Sequence, residues 1–81
     1  MKRIRLEVCP QNSIWPWKVT VDGVIEYNEE TQADAIARAR KWIAALVKEG
    51  RTATLKIKRP NGRIRDERTY PRSSDPRRSK G

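Results

Sequence analysis

Between residues 3 and 8 the chain reads Arg-Ile-Arg-Leu-Glu-Val, and apolar Ile4, Leu6 and Val8 alternate with Arg3, Arg5 and Glu7. A period of two predicts a half-buried strand with one face toward a core and the other toward water. Cys9-Pro10-Gln11-Asn12-Ser13 reads as a loop, because Pro10 removes a ladder donor and Asn and Ser favour turns. Trp15, Trp17, Val19 and Val21 then share one parity, with Lys18 and Thr20 on the other, which predicts a second strand. Pro16 lies within this run, and a proline in a strand belongs on an edge or at a bulge. Asp22-Gly23 signals a two-residue hairpin, since a type I′ turn needs positive φ at both central residues. Val24, Ile25 and Tyr27 make a short third strand.

The pattern then changes period. Ile36, Ala39, Ile43 and Leu46 recur at helical spacing, and Ala35, Trp42 and Val47 widen the stripe enough to cover a sheet. Thr31 suits the N-cap, with Asp34 three residues on as the partner of a capping-box-like pair. Glu29 and Glu30 add negative charge near the helix start and Lys48 puts a cation in the last turn, both suiting the macrodipole. Gly50 is placed to end the helix in the left-handed region. Asp34, Arg38, Lys41 and Lys48 fall on the solvent side.

Alternation returns over residues 52–59. Ala53, Leu55 and Ile57 point one way, and Thr54, Lys56 and Lys58 the other. Pro60-Asn61-Gly62 fits a type I turn with glycine in the left-handed position. The return arm, 63–70, has only Ile64 and Tyr70 as sizeable apolar groups, so its register is open; a slip of one residue would flip every side chain.

The order β-β-β-α-β-β predicts an α+β domain. It consists of a small, mostly antiparallel sheet of three to five strands with one helix packed on one face. The candidate core is Ile4, Leu6, Val8, Trp17, Val19, Val21, Ile25, Ile36, Ala39, Ile43, Leu46, Leu55 and Ile57. That suffices for one sheet on one helix, and not for two domains or a deep pocket. A single domain over 1–70 is expected, with a flexible basic tail over 71–81, which contains no aliphatic residue.

An ordered set of short motifs resembles the DUF2188 family of small bacterial and phage proteins. The set is Trp17-Lys18-Val19, the helix start Thr31-Gln32-Ala33-Asp34-Ala35-Ile36-Ala37-Arg38-Ala39, Leu55-Lys56-Ile57, Gly62-Arg63-Ile64-Arg65, Tyr70, Asp75-Pro76 and Lys80-Gly81. The resemblance covers residues 15–81. Two positions depart from the family pattern: Pro71 stands where it usually has Gly, and Asp34 where it usually has Glu. The resemblance implies a fold and a bacterial or phage origin, and it carries neither an activity nor functional residues.

Composition bounds the chemistry. The chain has 81 residues, and a domain near this size buries only about 60% of its unfolded surface. Its longest apolar runs, such as that through residues 43–47, are far short of the roughly 20 residues of a spanning helix. Met1-Lys2-Arg3 is followed by no apolar stretch, so no signal peptide is expected. Cys9 is the only cysteine and histidine is absent, which excludes an internal disulfide, a Cys/His zinc site and a His-based triad. A reduced lone thiol without a leader points to the cytoplasm. No metal, cofactor or catalytic residue is expected. Cys9 lacks a candidate base other than carboxylates, no glycine-rich phosphate loop is present, and the adjacent pairs Glu29-Glu30 and Asp66-Glu67 do not converge on a strand.

Charge changes the picture most. Lys and Arg number 19 against 10 Asp and Glu, a formal net charge of +9. Residues 1–50 hold 8 basic and 7 acidic groups, whereas residues 51–81 hold 11 and 3. Such asymmetry suggests a polyanionic partner. Twelve of the basic residues are Arg, whose guanidinium meets phosphate bidentately. The expected nucleic-acid contacts are Lys56, Lys58, Arg59, Arg63, Arg65, Arg72, Arg77 and Arg78, with DNA or RNA bound through its backbone and Trp15 available for stacking or a partner contact. Asp66 and Glu67 offset part of this charge, and a row of Lys on a strand also serves simply to keep sheets from aggregating. The alternative is a regulatory module docking on an acidic protein, the strand near Trp15 serving as an edge for β-augmentation. A membrane partner is not expected, because the helix has no lipid face beyond what its sheet requires.

Overall fold

The computed structural model describes residues 3–70; the expected tail over 71–81, with Arg72, Arg77 and Arg78, lies outside the described residues. Five strands and one helix follow in the expected order: β1 (Ile4–Pro10), β2 (Trp17–Val21), β3 (Val24–Glu29), α1 (Gln32–Lys48), β4 (Ala53–Lys58) and β5 (Ile64–Tyr70). They form a single mixed sheet in the order β3-β2-β1-β4-β5. The β1–β2, β2–β3 and β4–β5 pairs are antiparallel, and β1 and β4 run parallel, with Leu6 opposite Leu55 and Val8 opposite Ile57. The parallel pair follows from the helix: the chain leaves one edge at β3, crosses the sheet as α1 and re-enters on the far side of β1. No helix among the described residues is long and apolar enough to cross a membrane.

Helix ends form where the side chains can satisfy them. The Thr31 hydroxyl accepts from the Asp34 amide at 3.0 Å. At the other end Gly50 adopts φ +81°, which lets its own amide reach the Val47 carbonyl at 2.9 Å and the Arg51 amide reach Leu46 at 3.0 Å. These two bonds are a Schellman closure, and the left-handed residue in it must be nearly free of a Cβ penalty. The first hairpin turns at Asp22 (φ +51°) and Gly23 (φ +88°), and the Asp22 carboxylate accepts from the Arg5 amide at 2.9 Å.

Core and helix meet through Ala35, Ala39, Ile43 and Leu46 on α1 and Ile4, Leu6, Val8, Trp17, Val19, Ala53, Leu55 and Ile57 on the sheet, all buried. Small alanines at the two upstream contact positions let the helix approach the strands closely. Val21, Ile36 and Trp42 are only partly buried and flank this cluster.

Three expectations are corrected. Ile25, expected in the core, is 49% exposed. A bulge between Val19 and Thr20 pairs Ile25 with Thr20, on the face the helix does not cover, while Tyr27 opposite Val19 takes the core side. The second strand begins at Trp17, not at Trp15. Proline cannot donate to a ladder, and Pro16 instead closes the preceding loop by accepting from the Gln11 amide at 2.9 Å. Nor is that strand an edge: β2 lies between β1 and β3, and the edges are β3 and β5.

Candidate nucleic-acid interface

The alternation that buries Leu6, Val19 and Leu55 beneath α1 sends their neighbours to the opposite, open face of the sheet. Register fixes who meets whom there. Cys9 faces Lys18 across β1–β2, Glu7 faces Lys56 across β1–β4, and Lys56 faces Glu67 across β4–β5. Lys58 reaches Glu7, Nζ to Oε1, at 3.5 Å. The cations Arg5, Lys18, Lys56 and Lys58 thus outnumber the carboxylates Glu7 and Glu67 on this face. Two shallow, open depressions run across it, one lined by residues including Arg5, Glu7, Lys56 and Glu67, the other including Glu7, Cys9, Lys18 and Lys58.

Charge is least compensated at one end of the sheet. The turn between β4 and β5 carries Arg59 and Arg63, both exposed, with no acid between them. Its geometry is the expected one: Gly62 at φ +86° donates to the Arg59 carbonyl at 2.8 Å, and the Arg59 amide donates to Arg63 at 2.7 Å. The Arg63 amide donates to the Asn61 side chain at 3.0 Å, while among the described residues neither the Arg59 nor the Arg63 guanidinium makes a hydrogen bond or ion pair. Because β1 and β4 are parallel, the loop leaving β1 emerges at this same end. That loop, residues 11–16, presents Ile14 at 89% and Trp15 at 43% exposure.

Of the residues singled out from sequence, Lys56 and Lys58 share the open face, and Arg59 and Arg63 extend it at the turn. Arg65 stands elsewhere. Its guanidinium donates to the Gln32 side chain at 3.0 Å at the start of α1, while the Gln32 amide donates to the Lys58 carbonyl at 2.8 Å. A second bulge, between Ile57 and Lys58, shifts the register at this point. Arg68 pairs with Asp66 at 3.4 Å. Arg72, Arg77 and Arg78 fall outside the described residues.

Comparison with known proteins gives a family match that spans this sheet. Residues 6–70 fit the model of a family described as an uncharacterized protein conserved in bacteria, DUF2188. The chain belongs to that family. The matched span runs from the first strand to the end of the fifth, so Tyr70 of the motif set lies inside it, and Asp75-Pro76 and Lys80-Gly81 lie beyond it. No curated protein and no solved structure matches this DUF2188 chain.

The arrangement in this DUF2188 protein adds Arg5, Lys18 and Ile14 to the residues of interest. Arg5 and Lys18 were readable as the polar members of alternating strands. What sequence lacked was the pairing that sets both strands beside Lys56 and Lys58. The one free thiol, Cys9, is buried. Burial pushes it above the ordinary thiol value; Lys58 opposes this, and the Glu7 carboxylate, 3.6 Å away, reinforces it. A thiol kept protonated in this way is a poor nucleophile.

Proposed function

We propose that this protein is a non-enzymatic binder of nucleic-acid backbones. The phosphates lie against Arg59 and Arg63 at the β4–β5 turn and against Lys18, Lys56 and Lys58 on the adjoining open face. One observation carries the reading: among the described residues, two arginines whose guanidinium groups are unpaired stand at the end of a cationic sheet face that no helix covers. Guanidinium groups free of internal carboxylates keep their donors for phosphate oxygens, and contacts of this kind position a protein without reading sequence. A cytoplasmic setting, where a lone thiol stays reduced, suits this role.

Fluorescence anisotropy with labelled DNA and RNA, over a range of salt, tests it. Binding at micromolar concentration in low salt is expected, with log K falling against log salt by roughly 0.9 for each duplex phosphate neutralised. Replacing both Arg59 and Arg63 by Ala is expected to weaken binding and to flatten that slope by about two contacts. No binding at low salt overturns the reading. An unchanged slope in the double variant moves the phosphates away from the turn. Docking on an acidic protein would draw on the same cations, and the exposed Ile14 favours that alternative; an interface anchored on it would show a much weaker salt dependence.

A further inference from the structure

We propose that the preferred ligand is single-stranded nucleic acid, with an unpaired base stacked on the Trp15 indole while its phosphates follow Lys18, Lys58 and the β4–β5 turn. This deepens, and rests on, the backbone-binding reading above. Three observations converge on it. First, Trp15 departs from the other tryptophans. Trp17 is 9% exposed, and Trp42 packs edge-on against Tyr27 with ring centroids 5.7 Å apart, whereas Trp15 is 43% exposed and leaves much of a large apolar ring in water.

Second, the loop that carries it is pinned. The Gln11 side-chain amide donates to the Trp15 carbonyl and to the Asn28 side chain, each at 2.7 Å, and the Trp15 amide donates to the Ser13 hydroxyl at 3.2 Å. With Pro16 fixing the next φ, Trp15 is held ready, which lowers the ordering cost of binding. Third, the pin is on the cationic side. Asn28 is the cross-strand partner of Lys18, whose other neighbour is Cys9 on the open face.

A flat cationic face beside an exposed indole fits a strand whose bases are unpaired. In a duplex the base faces are occupied by one another, and an indole finds only edges and backbone. Every base has a face to offer, so the site is tolerant of sequence.

The full-length chain and its Trp15→Ala and Trp15→Phe variants would be titrated, at low salt, with a labelled oligo-dT of about twelve nucleotides and with a blunt duplex of similar length. Stacking on an aromatic is worth enough that Trp15→Ala should weaken oligo-dT binding at least about fivefold. Trp15→Phe should retain most of the affinity, and duplex binding should be unaffected by either change. If Trp15→Ala binds oligo-dT as the parent does, or loses duplex affinity to the same extent, the single-strand inference falls and the backbone reading stands. If neither oligonucleotide binds, both fall. Because the Trp15 side chain is largely outside the core, a loss confined to oligo-dT does not reflect unfolding, and circular dichroism of each variant confirms it.

Discussion

Replacing Glu7 by Gln should tighten nucleic-acid binding, a gain that no loss of folding can imitate. Glu7 sits among Lys56, Lys58 and Cys9 on the open face, and its Oε1 lies 3.5 Å from Lys58 Nζ. At that distance the attraction is about 1.2 kcal/mol in a water-like dielectric, and with both side chains about 30% exposed the net value of the pair stays at or below about 1 kcal/mol. Losing the pair therefore costs the fold little, and Gln keeps the shape and an acceptor for the Cys9 thiol. A phosphate seated on Lys58 would lie roughly 6 Å from the carboxylate, where repulsion is about 0.7 kcal/mol before screening. With a Debye length near 30 Å at 0.01 M salt most of this survives, and near 8 Å at 0.15 M about half does. The expected tightening is thus about two- to threefold at low salt and under about twofold at physiological salt. Anisotropy titrations of parent and variant at both salts read it directly. An affinity unchanged or lowered at 0.01 M would show that phosphates do not approach Lys58, and would remove the open face from the site.

Two further outcomes test the fold. Leu55 is 1% exposed on an interior strand of the sheet, so Leu55→Ala should cost about 2–5 kcal/mol in urea unfolding, a large share of the stability of so small a domain; a cost under about 1 kcal/mol would mean that the helix does not pack there. Cys9 holds its proton more tightly folded than unfolded, so its contribution is complete below the ordinary thiol pKa and is lost as pH rises through the raised one. As pH rises beyond the ordinary thiol value of 9.0 the parent should therefore lose stability relative to Cys9→Ala, and parallel curves for the two proteins would refute the burial of the thiol.

Much of the molecule is legible in order. Ile4, Leu6 and Val8, or Ala53, Leu55 and Ile57, announce strands because a pleated chain turns alternate side chains to opposite faces. Thr31, Gly50, Asp22-Gly23 and Gly62 announce their turns and caps because each answers a local requirement for a hydroxyl acceptor or a positive φ. Trp15 was readable as available for a contact, and Lys56 with Lys58 as one outward row. Arg65 was not readable, because one extra residue at the Ile57/Lys58 bulge redirects it to Gln32, 33 positions earlier in the chain. Ile25 failed for the same reason at the other edge.

The sequence by itself therefore determined what is local: the periods, the caps, the turns and the excess of positive charge after the helix. These depend on contacts within a few residues, whose energies the neighbouring side chains settle. Only the tertiary structure decided which strands are neighbours. The parallel seating of β4 beside β1 is a long-range choice made by the burial of α1 across the whole sheet. That choice places Arg5, Lys18, Lys56 and Lys58 on one surface and brings the loop of Trp15 to the same end as Arg59 and Arg63.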